Sequence, residues 1–467
     1  MTKPVPALDK LDDARLGRWL PPNRAHVEHW IAKLRRKVEA APLPLIEPIA
    51  TLGKMVYADP VLYANVQGMF AEAHFLKQST PLDWQPEPLN FENFLTLLNA
   101  IMSTAPEAYQ AGTGADRSAA GLIGFPINAL LDWPMGTSFG YDVFSNALVN
   151  QQFKKILAYW SAFLATEASR YVLTQNEPAS DADAWLSPAV QAEMVGVAQL
   201  ALGLSPNPVA AGASFADIFN CNPSDPFYGF SSWDDFFTRT FRDGVRPVSA
   251  AGDDSVIVNA CESAPLGVTS KVALSDAFWL KQQPYSLENM LNWDEYTPQF
   301  AGGEGATVYQ AFLSALSYHR WHSPVSGTIR KAYVVGGSYY LQNLQQGFYN
   351  PGGSDDAGPN NSQAFLTAVA TRALIFIEAD NPDIGLMCVM PVGMAEVSSC
   401  EITVQPGQHV DKGQQLGMFH FGGSTHCLIF RPGVNLTFKI YEQSGVNATN
   451  IRVNTELAVV ARSASAQ

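Results

Sequence analysis

The amino-acid sequence predicts an α+β protein: a helical N-terminal domain over residues 1–215, followed by a mostly antiparallel β-rich domain over residues 224–467. Two observations predict it. In the first half, apolar residues recur at helical spacing. Beyond residue 254 they gather in short β-branched runs separated by Gly and Pro. A chain of 467 residues, 47% hydrophobic, can bury more than one core.

In chain order, Val27, Trp30, Ile31, Leu34 and Val38 form one helical stripe, with Arg24, Lys33, Arg35, Arg36 and Lys37 largely elsewhere on the wheel. We read this as a surface helix packed on its own domain. The alternative is a helix resting on an anionic membrane surface. Further helical patterns cover 61–76, 91–104, 143–175 and 188–203, and Pro/Gly clusters at 124–136 and 204–213 break them. Ser231 and Ser232 are N-cap candidates for a short helix with Asp234 and Asp235 in its first turn. Strand-like runs follow at 255–260, 327–335, 373–379, 385–393, 397–404, 427–430, 436–440 and 451–454. The stretch 350–364 reads as a polar loop, a solvated insertion or a lid.

The formal net charge of −14 gives no general electrostatic reason to bind nucleic acid. The first forty residues are the exception: Lys3, Lys10, Arg15, Arg18, Arg24, Lys33, Arg35, Arg36 and Lys37 fall there. Five scattered cysteines without a CxxC pair predict reduced thiols and a cytoplasmic protein. No run of about 18 apolar residues predicts a membrane span, and the first residues lack the apolar core of a secretory signal.

Three short segments carry candidate chemistry. In FGGST, Phe421 to Thr425, two glycines precede a serine at a strand start. Such a segment is a turn or the seat of a hydroxyl nucleophile. In YHRWHSP, Tyr318 to Pro324, His319 and His322 stand three apart in a chain with only eight histidines. They are hydrogen-bonded core residues, partial metal ligands lacking a third histidine nearby, or a base for a hydroxyl. In ACES, Ala260 to Ser263, Glu262 is a strand-end charge or an acid that orients a histidine.

Together these segments, with FFTRTFRDGVRPV, the ALIFIEA…GLMCVMPVGMAEVSSCE strand pair and PGQHVDKGQQLGMF, stand in the order seen in the phosphatidylserine decarboxylases. From about residue 224 to the end the chain resembles that family of pyruvoyl enzymes. The YHRWH, ACES and HFGGS forms, and a helical first domain, resemble its branch of fungal tryptophan decarboxylases. The resemblance implies a proenzyme that cuts itself between Gly423 and Ser424, leaving a covalent pyruvoyl cofactor derived from Ser424 and no metal. It implies Ser424 as the attacking serine and His322 as the base of cleavage. Glu262 stands where the phospholipid enzymes have Asp, as the acid that orients His322. His319 serves the decarboxylation step, as proton donor to the substrate's α-carbon. Gly422 replaces a family Leu.

The implied products are chains 1–423 and 424–467 held in a non-covalent complex, with a homo-oligomer left open. The substrate is a free aromatic amino acid, L-tryptophan first, or phosphatidylserine. A third reading, a carrier-like scaffold with Lys412 as the modified lysine, comes from the hairpin pattern at 404–419.

Overall fold

The computed structural model describes residues 19–461 apart from 21–23, 80–87, 110–123, 176–181, 184, 276–284, 351–357, 397–398, 442–443 and 446–447. Lys3, Lys10, Arg15, Arg18 and the centre of the polar loop lie outside the described residues. The fold is helical in its N-terminal region and antiparallel β-rich beyond it. By contacts the chain forms two compact units: Met1–Ser187 with Tyr340–Ser362, and Pro188–Tyr339 with Gln363–Gln467.

The helical unit is built from amphipathic segments. In Ala147–Leu164, Val149, Phe153, Ile156, Trp160 and Leu164 are buried along one face. Asn146 starts this helix by accepting from the Leu148 and Val149 amides, so the 143–175 pattern divides into Ser138–Ser145, Ala147–Leu164 and a 3-10 turn, Glu167–Val172. The Pro/Gly cluster at 124–136, read as a break, is itself a helix, Pro126–Met135. Pro126 stands in its first turn, where the missing N–H costs nothing. In Arg24–Ala40, Trp30, Ile31 and Leu34 are buried, so this apolar stripe packs on protein.

Tyr340–Ser362 belongs to the helical unit because it carries aromatic anchors. Tyr340 packs on Phe144 and Phe153 at 5.7 and 5.3 Å, and Phe348 stacks on Trp133 at 4.8 Å. Polarity over 350–364 hid these anchors just upstream. Conversely, the helix Pro188–Leu200 belongs to the second unit, where the Ala198 carbonyl accepts from Arg246.

The second unit holds a seven-stranded antiparallel sheet. Its order is His409–Val410, Gly327–Val335, Arg372–Ala379, Leu386–Met394, Gly423–Phe430, Ala306–Leu313 and Ala264–Val272. Two three-stranded sheets join it. One contains Cys400–Ile402, Gln415–Phe419 and Arg320–His322; the other contains Leu436–Phe438, Glu456–Val460 and Val256–Val258. One apolar cluster draws on all three sheets, with Ile257, Trp321, Ile375, Val389, Phe419, Leu428 and Leu457 fully buried. The 451–454 run is not a strand: Ile451 makes single bridges to Leu202 and Ser263, and the strand forms later, at Glu456–Val460.

Removing side-chain volume from this shared core leaves a cavity that rigid neighbours cannot fill. Leu428→Ala is expected to lower the unfolding free energy by about 2–5 kcal/mol, read from urea denaturation.

Candidate active site

Ser424 is the second residue of a strand paired along both edges. It faces Leu313 on one neighbour and Gly393 on the other, and neither ladder is broken by a bulge. The residue is fully buried, and its Oγ meets no hydrogen-bond partner among the described residues. A buried hydroxyl without a partner costs about 1–3 kcal/mol, which marks a site rather than a filler. Gly422, just upstream, has φ +131°, a conformation that side-chain-bearing residues rarely adopt. The family Leu therefore does not suit this turn, and Gly does.

His322 is held at both ring nitrogens. Nδ1 lies 2.7 Å from the Gly413 carbonyl and Nε2 lies 3.0 Å from the Tyr318 hydroxyl. Burial lowers its pKa against the opposing pull of the Gly413 carbonyl. A carbonyl only accepts, so Nδ1 carries the proton and Nε2 takes the Tyr318 O–H. No hydrogen bond joins His322 to Ser424 or to Glu262.

Glu262 is 1% exposed and binds Arg246 instead. Arg246 Nη2 reaches its Oε1 at 2.5 Å and Arg246 Nε its Oε2 at 2.9 Å, while the Val453 amide donates to Oε2 at 2.9 Å. The sequence-based triad is thus not closed in the intact chain: Tyr318 occupies the nitrogen assigned to Ser424, and Arg246 occupies the carboxylate assigned to His322.

His319 sits on the other side of the same loop. Its ring stacks on Phe237 at 4.2 Å, and Phe237 meets Phe421 edge-on at 5.6 Å. One aromatic ring therefore links His319 to the FGGST segment. Burial, then the charge of Arg239, pulls the His319 pKa down to about 3. A ring neutral at physiological pH would donate a proton from its N–H rather than as an imidazolium. It can still hold a proton at one nitrogen and accept at the other.

Lys412, the carrier candidate, is 6% exposed. Its ammonium is caged by the carbonyls of Ala250, Asp253 and Val256 at 2.7, 2.7 and 3.1 Å. Such a lysine braces a turn and offers no arm for a prosthetic group.

Against known proteins, residues 233–454 match the phosphatidylserine decarboxylase family model, and residues 46–194 match a second model described as phosphatidylserine decarboxylase. A protein named decarboxylase iboD, from Amanita muscaria, is 41% identical over 72% of this chain and 92% of its own length. The L-tryptophan decarboxylases of Psilocybe cubensis and Psilocybe cyanescens are each 33% identical, over 89% and 96% of this chain and 87% and 94% of theirs.

The chain belongs to the phosphatidylserine decarboxylase family. It is a carboxy-lyase, and its family uses a pyruvoyl group derived from serine. No helix among the described residues of this decarboxylase is long and apolar enough to cross a membrane.

Two further groups of the decarboxylase were given no role by the sequence reading. Arg239 is buried, with Nη2 donating to the Leu316 and Ser317 carbonyls at 3.0 and 3.2 Å, so it braces the loop that ends at His319. The FFTR string contained it, but nothing local showed that its target lies 77 residues away. His420, two residues before Gly422, lies between two carboxylates: Nδ1 is 3.0 Å from Asp234 Oδ1, and Nε2 is 2.7 Å from Glu401 Oε2. Asp234 is fixed in turn in the first turn of the helix Trp233–Phe237, which Ser232 caps.

Burial lowers the His420 pKa, but Asp234 and Glu401 outweigh it, so the pKa is raised overall. A histidine raised on folding stabilises fully below its unfolded value near 6.5 and loses that contribution as pH rises through the folded value. The thermal midpoint of His420→Gln is therefore expected to fall below wild type most at acid pH, with the gap closing as pH rises. Glu262→Gln, which leaves Arg246 buried without its anion, is expected to lose about 3–5 kcal/mol in denaturant titrations.

Proposed function

We propose that this decarboxylase cuts its own chain between Gly423 and Ser424, converts residue 424 to pyruvoyl, and uses it to decarboxylate a free aromatic L-amino acid, L-tryptophan first. The observation that carries the cleavage is the buried, unpartnered Ser424 hydroxyl, set two residues after a glycine-only backbone conformation. The substrate reading is supported by the likeness to the two Psilocybe enzymes over most of the chain.

The cleavage balances without an external reagent other than water. Ser424 Oγ adds to the Gly423 carbonyl carbon as its proton leaves to a base. The C–N bond then breaks, giving an ester and a free amine at residue 424. Loss of the Ser424 α-proton and fission of Cβ–Oγ release Gly423 as a carboxylate and leave dehydroalanine. Water replaces the nitrogen, which leaves as ammonia, giving a pyruvoyl group still joined by its amide to Thr425.

His322 is the proposed base, and serine needs one because its hydroxyl is a weak nucleophile. The Tyr318 hydroxyl on Nε2 must give way or relay the proton, and Arg246 holds Glu262 where its charge acts on Tyr318. The pyruvoyl ketone supplies an electron sink for the pair left when CO₂ departs from a bound amine. His319 is proposed to face that reaction, holding a proton at a ring nitrogen kept neutral by burial and then by the charge of Arg239.

The small chain stays in place after cleavage because its first strand is interior. Residues 424–430 pair on both edges, and Arg452 and Val453 bind the 202–206 carbonyls and Glu262. Mass spectrometry is expected to find chains 1–423 and 424–467, co-purifying and parting only in denaturant. An intact chain with full activity would overturn the proposal. Ser424→Ala should stay uncut and inactive.

The two histidines should separate by step. His322→Ala is expected to slow cleavage by about 10²-fold or more, whereas His319→Ala should cut but decarboxylate poorly. Release of CO₂ from phosphatidylserine vesicles, with none from any free aromatic amino acid, would replace the substrate assignment.

A further inference from the structure

The strand that begins at the cleavage bond carries a histidine that cleavage does not use. Side chains alternate along an unbulged strand, so Ser424, His426, Leu428 and Phe430 share one face. Leu428 and Phe430 lie in the core that the three sheets share. His426 stands between them and Ser424. Its cross-strand neighbours are Ala311 and Pro391, and those of Ser424 are Leu313 and Gly393. Ala311 and Gly393 are small, so the neighbouring strands place little side-chain bulk beside the two positions.

The His426 ring is fully buried and meets the Tyr309 ring edge-on at 5.8 Å. Neither ring nitrogen makes a well-formed hydrogen bond among the described residues. An apolar side chain would fill this place at lower cost, since a buried polar group left unpaired costs about 1–3 kcal/mol. Burial holds the ring neutral, its pKa lowered to about 3 against the opposing pull of the Ala311 backbone. A neutral imidazole is a poor acid but a good hydrogen-bond partner, with one donor and one acceptor nitrogen.

Two residues along a strand span about 6.6 Å. That spacing sets His426 beside residue 424 rather than at the reacting bond. We infer that His426, with the edge of Tyr309, recognises the side chain of the substrate amine held at residue 424. The class that fits is a flat aromatic ring bearing an N–H or O–H donor, which would meet the bare imidazole nitrogen. The inference rests on the pyruvoyl reading above.

The test uses the cut protein and two amines. Wild type, His426→Val and His426→Gln are mixed with methylamine or tryptamine and reduced with borohydride, and the label on chain 424–467 is weighed. Methylamine reports the reactive group alone; tryptamine adds the side chain. The expected result is that His426→Val cuts normally, takes methylamine like wild type and loses at least ten-fold of its preference for tryptamine. His426→Gln, which keeps a donor and an acceptor, should recover part of it. For L-tryptophan turnover, KM should rise more than kcat falls.

An unchanged tryptamine-to-methylamine ratio in His426→Val overturns the inference and leaves the pyruvoyl reading standing. The same holds if the wild type shows no preference for tryptamine. If the wild type traps neither amine, the pyruvoyl reading fails and the inference with it. Failure of both variants to cut would place His426 in folding or cleavage and would also overturn it.

Discussion

The strand Gly423–Phe430 is hydrogen-bonded along both edges, and the site is arranged around that fact. A serine at the head of an interior strand cannot be moved without breaking two ladders. Its neighbours on both sides are set by register rather than by side-chain packing, and the turn that delivers it needs a glycine φ at Gly422. The burial that leaves Ser424 without a partner follows from the same placement.

Charge around that strand is distributed by environment. Four histidines lie close to it in sequence or space. His319 and His426 are kept neutral by burial, His322 by burial against the opposing pull of the Gly413 carbonyl, and His420 is drawn toward its charged form by two carboxylates. Arg239 and Arg246 are two of the buried cations of the unit, and they differ in their partners. Arg246 holds Glu262, while Arg239 spends its donors on backbone carbonyls and lies over the Phe219 and Phe236 rings. The Arg239 charge stands beside His319, where it opposes a second positive charge.

Much of the fold was legible in local pattern. Helical spacing located the amphipathic helices, and β-branched runs located the strands 327–335, 373–379 and 385–393 almost to the residue. Errors came where tertiary context overrides local signals. Prolines that read as breakers start and end a helix at 126–135, because the first turn needs no N–H. The strands Ala264–Val272 and Ala306–Leu313 carry Gly, Ser and Gln among their apolar residues, and their pairing partners decide them. At the site, Ser424, His319, His322 and Glu262 were visible as residues, but their hydrogen bonds were not. The partners Tyr318, Gly413 and Arg246 are ordinary in sequence, and only the folded chain shows that they occupy the nitrogens and oxygens a triad would need.

The excursion Tyr340–Ser362 has a consequence for how such a protein could arise. The chain leaves the β-rich unit, buries Tyr340 among the helices, and returns. A single genetic exchange at residue 187 would not transplant the helical unit, because part of its interior, Tyr340–Ser362, is encoded downstream between two strands of the sheet. Ancestry by simple fusion of a helical module to an older enzyme would have to be followed by a second event inserting the segment, or the two parts must have diverged together. The joint is therefore a woven one, and chimaeras that swap the first 187 residues alone would inherit an aromatic plug without its socket.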